Sequence, residues 1–366
     1  MHVADVTMFY APHGGGVRRY IEAKRAWLRS RDGCSHTLVV PKSANAPGER
    51  GIVGLRSMPI PLSHGYRVAF RNTPAARALI DLRPTLIEAG DPYNLAWASL
   101  EAGQTLGVPV VGFCHSDLPR VLGQRYGRRA ERLASRYYGR LYKHFDLVLA
   151  PSRTMTARLR GWGIQHAHHQ ALGVDLQLFN PQRREPGLRQ RLGLPAQSRL
   201  LVYAGRFAAE KNLEVLAQAM RLLGAGYVAL LVGAGRTPSK MPDNMRVLPY
   251  MAERVDLATL LASCDAFVHP GDQETFGLAA LEAMACGLPV VGAQAAGLAE
   301  LVSSEVGVLV PPRDARALAD GIIALYEREP ASVGVRARRL AERYAWDPLF
   351  ERILERYRAL APRARS

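Results

Sequence analysis

The sequence predicts an α/β protein of two doubly wound, Rossmann-like parallel-sheet domains facing a cleft. Short apolar runs, each closed by turn residues and followed by an amphipathic segment, recur along the chain. That alternation is the pattern of strand, crossover helix and parallel strand. The plan runs through twice, once on each side of residue 172, and 366 residues suit two domains.

Composition narrows the functional classes. The chain is 48% hydrophobic and 22% charged, enough apolar material for sizeable cores. Cys34, Cys114, Cys264 and Cys286 show no metal or redox spacing and read as reduced thiols. The first residues, MHVADVTMFY, read as a strand with an acid inside it rather than a signal peptide, and no apolar run reaches the ~18 residues of a membrane span. Net charge is +16, and residues 1–172 hold 24 basic against 11 acidic side chains. A basic half suits an anionic partner: a membrane surface, an acidic substrate or nucleic acid.

Residues 3–9 read as the first strand. Gly14, Gly15 and Gly16 follow, before an amphipathic helix over 17–28 with Val17, Tyr20, Ile21, Ala23, Trp27 and Leu28 as its apolar members. A glycine turn between first strand and helix can cradle phosphate, although a plain tight turn has the same look. Residues 38–41 read as a strand, 42–65 as loop because Pro, Gly and Ser dominate, and 66–82 as a helix. A strand at 86–90 leads to Asp91-Pro-Tyr93 and another helix. The buried strand 108–114 delivers His115 at its carboxyl end, where doubly wound sheets bind ligands. Residues 120–144 carry Arg120, Arg125, Arg128, Arg129, Arg132, Arg136, Arg140 and Lys143 against Glu131 alone, with Leu133, Tyr137, Leu141 and Phe145 at helical spacing. This reads either as the solvated face of a core helix or as an interfacial helix on anionic headgroups.

After a strand at 146–150 and a helix opened by Ser152, the second series begins at 200–204. It delivers Gly205-Arg206 and then Glu210-Lys211-Asn212. Gly-Lys-[Ser/Thr] is missing, so this is no P-loop, but Arg and Lys after a strand end suit a diphosphate. Gly233-Ala-Gly235 follows the strand 228–232; Pro238 in the last fingerprint place argues against a nicotinamide cofactor. Residues 269–292 read as loop, helix, strand. Glu274 and Glu282 stand seven residues apart around Thr-Phe276-Gly277-Leu278, and Leu278–Ala285 is apolar on nearly every side, as a buried helix is. A charge on such a helix costs several kcal/mol unless it is bonded. By itself Glu282 reads equally as a core ion pair.

The 269–292 stretch resembles the E-x7-E signature of glycosyltransferase family 4, retaining sugar transferases of GT-B architecture, and the resemblance extends over essentially the full chain. It implies that Glu274 meets the transferred sugar and Glu282 the nucleotide ribose. Gly15 and Gly16 match the segment whose glycines approach the donor diphosphate, and Arg206 and Lys211 match the G-R-x4-K segment that binds it. Tyr250 falls where the family's base-binding loop lies. His115 matches the histidine beside the transferred sugar. The resemblance also implies an acceptor domain over 1–172, a donor domain over 173–345, and a last helix, about 346–366, returning to the first domain.

These readings converge on a retaining, metal-independent transferase that moves a hexose from a GDP- or UDP-linked donor to an acceptor, with no cofactor besides the donor. The catalytic candidates are His115, Arg206, Lys211 and Glu274; Gly15, Gly16, Tyr250, Phe276, Gly277, Leu278 and Glu282 complete the donor set. No Asp-x-Asp is present, so no metal is expected at the diphosphate. The basic stretch points to a lipid or lipid-linked acceptor on an anionic membrane, with Arg125, Arg128, Arg129, Arg132 and Arg136 as its contact, and to a cytoplasmic enzyme peripheral to the inner membrane face. The alternatives are a soluble or polysaccharide acceptor, a GT-B sugar-nucleotide epimerase, and a nucleic-acid-binding protein. The last lacks zinc spacing and a ribonucleoprotein motif, so no nucleic acid is expected.

Overall fold

A computed structural model describes residues 1–11, 15–42, 49–60 and 65–360. The chain forms two compact units, one of 1–171 with the segment from Asp347 onward, the other Leu172–Trp346.

The N-terminal unit contains β1 (His2–Val6), α1 (Gly16–Arg29), β2 (Ser35–Lys42), β3 (Ile52–Arg56), β4 (Met58–Pro59), β5 (Arg67–Val68), α2 (Asn72–Leu82), β6 (Leu86–Ala89), α3 (Asn94–Leu106), β7 (Val110–Phe113), α4 (Leu118–Tyr126), α5 (Arg128–Tyr142), β8 (Leu147–Ala150), α6 (Arg153–Gly161) and β9 (Ala167–His169). Seven strands form one parallel sheet in the order β3-β2-β1-β6-β7-β8-β9. Strand order reverses between β1 and β6, which opens a crevice at their carboxyl ends. Ile87, Val110, Val148 and Tyr142 belong to the core on this sheet.

The C-terminal unit contains α7 (Leu188–Arg191), β10 (Arg199–Ala204), α8 (Leu213–Leu223), β11 (Tyr227–Val232), β12 (Met245–Leu248), α9 (Arg254–Ser263), β13 (Ala266–His269), α10 (Leu278–Ala285), β14 (Val290–Ala293), α11 (Ala296–Leu301), β15 (Gly307–Val310), α12 (Ala315–Glu327) and α13 (Pro330–Glu342). Its parallel sheet runs β12-β11-β10-β13-β14-β15, with the reversal between β10 and β13. The last helix, α14 (Trp346–Leu360), packs on α1 of the N-terminal unit: Phe350 lies 5.9 Å from Tyr20 and 5.7 Å from Trp27.

Four sequence readings need correction. Residues 42–65 are not all loop: β3 extends the sheet as a parallel edge strand, and β4 pairs antiparallel with β5. An edge strand of five residues interrupted by Gly54 gives little apolar periodicity. The helix read over 66–82 starts only at Asn72, behind an extended Arg71. The basic stretch 120–144 is two helices, broken where Gly127 takes φ +88°, a conformation that favours glycine. The phase of α5 also differs from the reading. Leu141 and Phe145 are buried as read, but Leu133 is 65% and Tyr137 37% exposed, and Tyr138 and Tyr142 fill the core in their place.

A charged cluster lies inside the N-terminal unit. Lys24 on α1 is 1% exposed and donates to Asp5 at 2.6 Å and Glu88 at 2.7 Å. His36 contacts the other oxygen of Asp5 at 2.9 Å, and Tyr357 on α14 donates to Glu88. Burial opposes the Lys24 charge, but Asp5 and Glu88 more than offset it and hold its pKa above the ordinary lysine value. Replacing Lys24 with Ala or Met would leave the buried Glu88 carboxyl without its cation and Asp5 with His36 alone, at a cost of about 3–5 kcal/mol. Urea unfolding of either variant should show that loss, and an unchanged midpoint would contradict the ionic account.

Candidate functional site

Backbone topology brings the C-terminal unit's candidates together. β10 and β13 are neighbours at the reversal, paired through Leu201–Ala266 and Val202–Phe267, so the segments leaving their carboxyl ends meet. Lys211 follows β10; Glu274 follows β13. Lys211 Nζ donates to Glu274 Oε1, and His269 Nε2, on the last residue of β13, lies 3.0 Å from the same oxygen. Asn212 Nδ2 donates to the Pro270 carbonyl at 3.3 Å, a second tie between the two segments. Gly297 N–H donates to the Glu274 carbonyl at 2.8 Å.

Burial would raise the Glu274 pKa, but Lys211 and His269 outweigh it and hold the carboxyl well below the usual range. Glu274 is therefore a fixed anion at neutral pH. Arg206 is bound more loosely: it pairs with Glu210 at 3.0 Å and its side chain is 61% exposed. Its backbone is held, since the Tyr203 hydroxyl donates to the Arg206 carbonyl at 2.8 Å. Gly233 and Gly235 also acquire a reason. A Cβ at Gly233 would lie 1.8 Å from the Gly205 carbonyl oxygen, and one at Gly235 would lie 2.2 Å from that of Phe207. The Gly-Ala-Gly turn lets the loop carrying Arg206 sit directly on the end of β11.

Gly277 precedes α10 with φ +97°, and Leu278 opens that helix, so the free backbone N–H groups of its first turn lie just past Glu274. Phe276 is buried, 5.9 Å from the Tyr344 ring. Glu282 lies one turn inside α10, 2% exposed, with Arg254 3.8 Å from its carboxylate. Tyr250 follows β12 and is exposed.

In the N-terminal unit Gly15 precedes α1 and Gly16 is its first residue; Gly14 lies outside the described residues. His115 follows β7. Its ring stacks on Phe113 at 4.1 Å and 2°, and lies 5.1 Å from Tyr20. Burial, then the Lys24 charge, pushes its pKa down to about 3, so the imidazole is neutral near pH 7. Arg125 lies in the last turn of α4, and Arg128, Arg129, Arg132 and Arg136 stand exposed on α5. Glu131, the acid among them, pairs with Arg158 at 3.2 Å.

Sequence reasoning missed two groups. His269 reads as the end of an apolar strand, yet it holds Glu274. Asp91 lies at the β1–β6 reversal, accepts from Met8 N–H at 2.6 Å and Tyr93 N–H at 3.1 Å, and is pushed up to about 6 by burial. Its place after β6 was the available signal. Among the described residues no three His, Cys, Asp or Glu side chains gather as a metal site, and no helix is long and apolar enough to cross a membrane.

Two reversed parallel sheets, with basic and acidic side chains gathered at the carboxyl ends of the second, fit the GT-B architecture. Sucrose-phosphate synthase from Thermosynechococcus elongatus shares the fold at TM-score 0.80 and 23% identity, covering 98% of this chain and 99% of its own. Residues 14–178 match glycosyltransferase family 4, and residues 185–343 match glycosyl transferases group 1. A Mycobacterium tuberculosis protein named GDP-mannose-dependent alpha-(1-6)-phosphatidylinositol dimannoside mannosyltransferase is 32% identical over 94% of this chain and 93% of its own length. The D-inositol 3-phosphate glycosyltransferase of Xylanimonas cellulosilytica is 34% identical over 71% of this chain and 70% of its own. The chain belongs to glycosyltransferase family 4, and it is a hexosyltransferase.

The His115 environment gives a direct prediction. Its folded pKa lies below the unfolded value of 6.5, so the folded state loses stability as pH falls from 6.5 toward about 3. The His115 ring resonances should show no titration between about pH 5 and 8 by NMR. His115→Phe should flatten the acid limb of the stability curve.

Proposed function

We propose that the protein transfers a mannosyl group from GDP-mannose, with retention and without a metal ion, to an inositol-containing lipid on an anionic membrane surface. The Lys211–Glu274–His269 arrangement at the β10–β13 reversal carries the reading. A lysine ammonium has three donors, so Lys211 can keep Glu274 while facing the donor diphosphate. Arg206, exposed and paired with Glu210, adds a planar fork for phosphate. Both oppose the charge that develops as the diphosphate departs, and the N–H groups near Gly16 and Phe276 add to them. Glu274, a fixed anion, accepts hydrogen bonds from sugar hydroxyls, and Glu282 is assigned to the ribose. We assign the neutral His115 ring to the transferred sugar, and Gly15, Gly277, Leu278 and Tyr250 to the donor's binding surface. No carboxylate is placed as a covalent nucleophile, which favours same-face attack by the acceptor hydroxyl.

The donor and the acceptor class are supported by the named substrates of the mycobacterial relative. The exposed arginines of α5 support the membrane surface, since each basic side chain near anionic lipid contributes about 1 kcal/mol.

The decisive experiment incubates the enzyme with labelled GDP-mannose, UDP-glucose and related donors, phosphatidylinositol lipids and soluble acceptors, and resolves products by mass and anomeric configuration. An α-mannosylated inositol lipid is expected; turnover of donor alone would point to an epimerase. Arg206→Ala or Lys211→Ala should remove ~2–4 kcal/mol of transition-state stabilisation, slowing transfer roughly a hundredfold or more. Folded variants with near wild-type rates would refute the diphosphate assignment. Transfer should also persist in excess EDTA, and loss reversed by magnesium or manganese would overturn metal independence.

A further inference from the structure

Glu282 has a cation beside it whose role the donor assignment leaves open. The other buried residues of α10, from Leu278 to Ala285, are all apolar. A carboxylate in such a place is costly unless a charge or a hydrogen bond compensates it. Arg254, the first residue of α9, brings its guanidinium to 3.8 Å from the Glu282 carboxylate. The two helices are in contact beyond this pair, since Cys286 Sγ donates to the Ala258 carbonyl at 3.6 Å.

An aromatic ring also holds the guanidinium. Its carbon lies 5.3 Å from the ring centroid of Phe179, a cation–π distance, and Phe179 is fully buried. Phe179 is fixed in turn. Its N–H donates to the Asp175 carbonyl at 2.9 Å, and its own carbonyl accepts from Arg338 Nη1 at 2.8 Å. The same nitrogen donates at 2.7 Å to the carbonyl of Ala285, the last residue of α10. Arg338 therefore ties the backbone of Phe179 to the helix that carries Glu282, and Arg254 joins the two side chains. The Arg254 Nε–H is buried with no hydrogen-bond partner among the described residues, so the ring and the carboxylate are what hold its head.

At 3.8 Å the pair is past hydrogen-bond length, and Arg254 acts on Glu282 through charge. An ionised carboxylate offers about four acceptor sites, so Glu282 can face this cation and accept from hydroxyl donors as well.

We infer that Arg254 is a positioning residue: stacked on Phe179, it holds Glu282 in the orientation in which the carboxylate accepts from the ribose hydroxyls of the donor nucleotide. The inference rests on the assignment of Glu282 to the ribose made above and adds the residue that sets its geometry. A role in stability alone would weaken every nucleotide alike, whereas a positioning role weakens only those that carry the hydroxyls.

The test compares GDP with 2′,3′-dideoxy-GDP by calorimetry on the full chain. Wild type should favour GDP about tenfold or more, the scale of hydrogen bonds to a charged group. The Arg254 side chain is 39% exposed, so its replacement opens no core. Arg254→Met keeps the stem and removes the charge. It should bind GDP roughly tenfold more weakly and the dideoxy nucleotide as wild type does, so that the preference collapses. Arg254→Lys returns a cation without the planar fork and should recover part of the preference. Should Arg254→Met fail to fold, Arg254→Gln carries the same comparison. If the uncharged variant keeps the wild-type preference while Glu282→Gln loses it, the positioning role alone is overturned. If wild type holds the two nucleotides equally, the ribose assignment fails and this inference with it.

Discussion

The N-terminal unit depends on one buried ammonium. Lys24 joins α1 to β1 through Asp5 and to β6 through Glu88, and Tyr357 brings α14 to the same carboxylate. These are the two strands between which the sheet reverses, and the helix that follows the glycine turn. A buried ion pair is rarely a net gain over apolar packing, but breaking one is costly, so its geometry is strongly specified. The cluster therefore sets the place where α1 begins. It also sets the Tyr20 ring beside His115, since the Tyr20 hydroxyl donates to Glu88 at 3.1 Å. Asp5 is driven down by Lys24 and His36 against its burial, while burial, with Asp5 adding to it, drives Glu88 up against Lys24. The two acids are unequal, and Glu88 is the one that the tyrosines also satisfy.

The C-terminal unit solves the same problem differently. Its reversal is held by backbone approach and by a charge pair at its rim. Glycines at 233 and 235 remove the Cβ atoms that would push the Arg206 loop away, and Gly297, whose Cβ would meet the Thr275 carbonyl at 2.3 Å, does the same for the Glu274 loop. The loops approach closely enough for Lys211 and Glu274 to bond. The side chain of Glu274 keeps 19% of its exposure, so this pair remains within reach of a ligand while the Lys24 cluster does not.

Much of this was legible in the sequence, for physical reasons. The central strands are continuous apolar runs because both faces of a parallel sheet are covered, and the breakers after them mark carboxyl ends where ligand residues belong. That rule singled out Arg206, Lys211 and His115 as candidates; Glu274 came from its spacing to Glu282 and the resemblance of its stretch to the family signature. The β4–β5 hairpin was hidden by its Pro, Gly and Ser content, and two-residue strands have no period to detect. The α5 phase was misread because Leu133 and Tyr137 lie four apart and resemble a core stripe; the residues that do pack inward, Tyr138, Leu141 and Tyr142, form an equally good one. Lys24 was invisible for a deeper reason. A lysine in an amphipathic helix reads as solvent-facing, and only the three-dimensional convergence of Asp5 and Glu88 makes its burial possible.

The charge states of the candidate site follow from these two constructions. In the N-terminal unit, burial and the Lys24 charge keep His115 neutral down to about 3. In the C-terminal unit, Lys211 and His269 keep Glu274 ionised despite its burial. Neither group is poised to exchange a proton near neutrality, which is where an efficient general acid or base has to lie. What they supply is a fixed pattern: a neutral ring in one unit, and in the other an anion already balanced by a cation with donors to spare. Under the proposed transfer, such a site would lower the barrier by holding charge in place before the reaction begins. The rate should then depend on the placement of Lys211 and Arg206 more than on the protonation of His115 or Glu274.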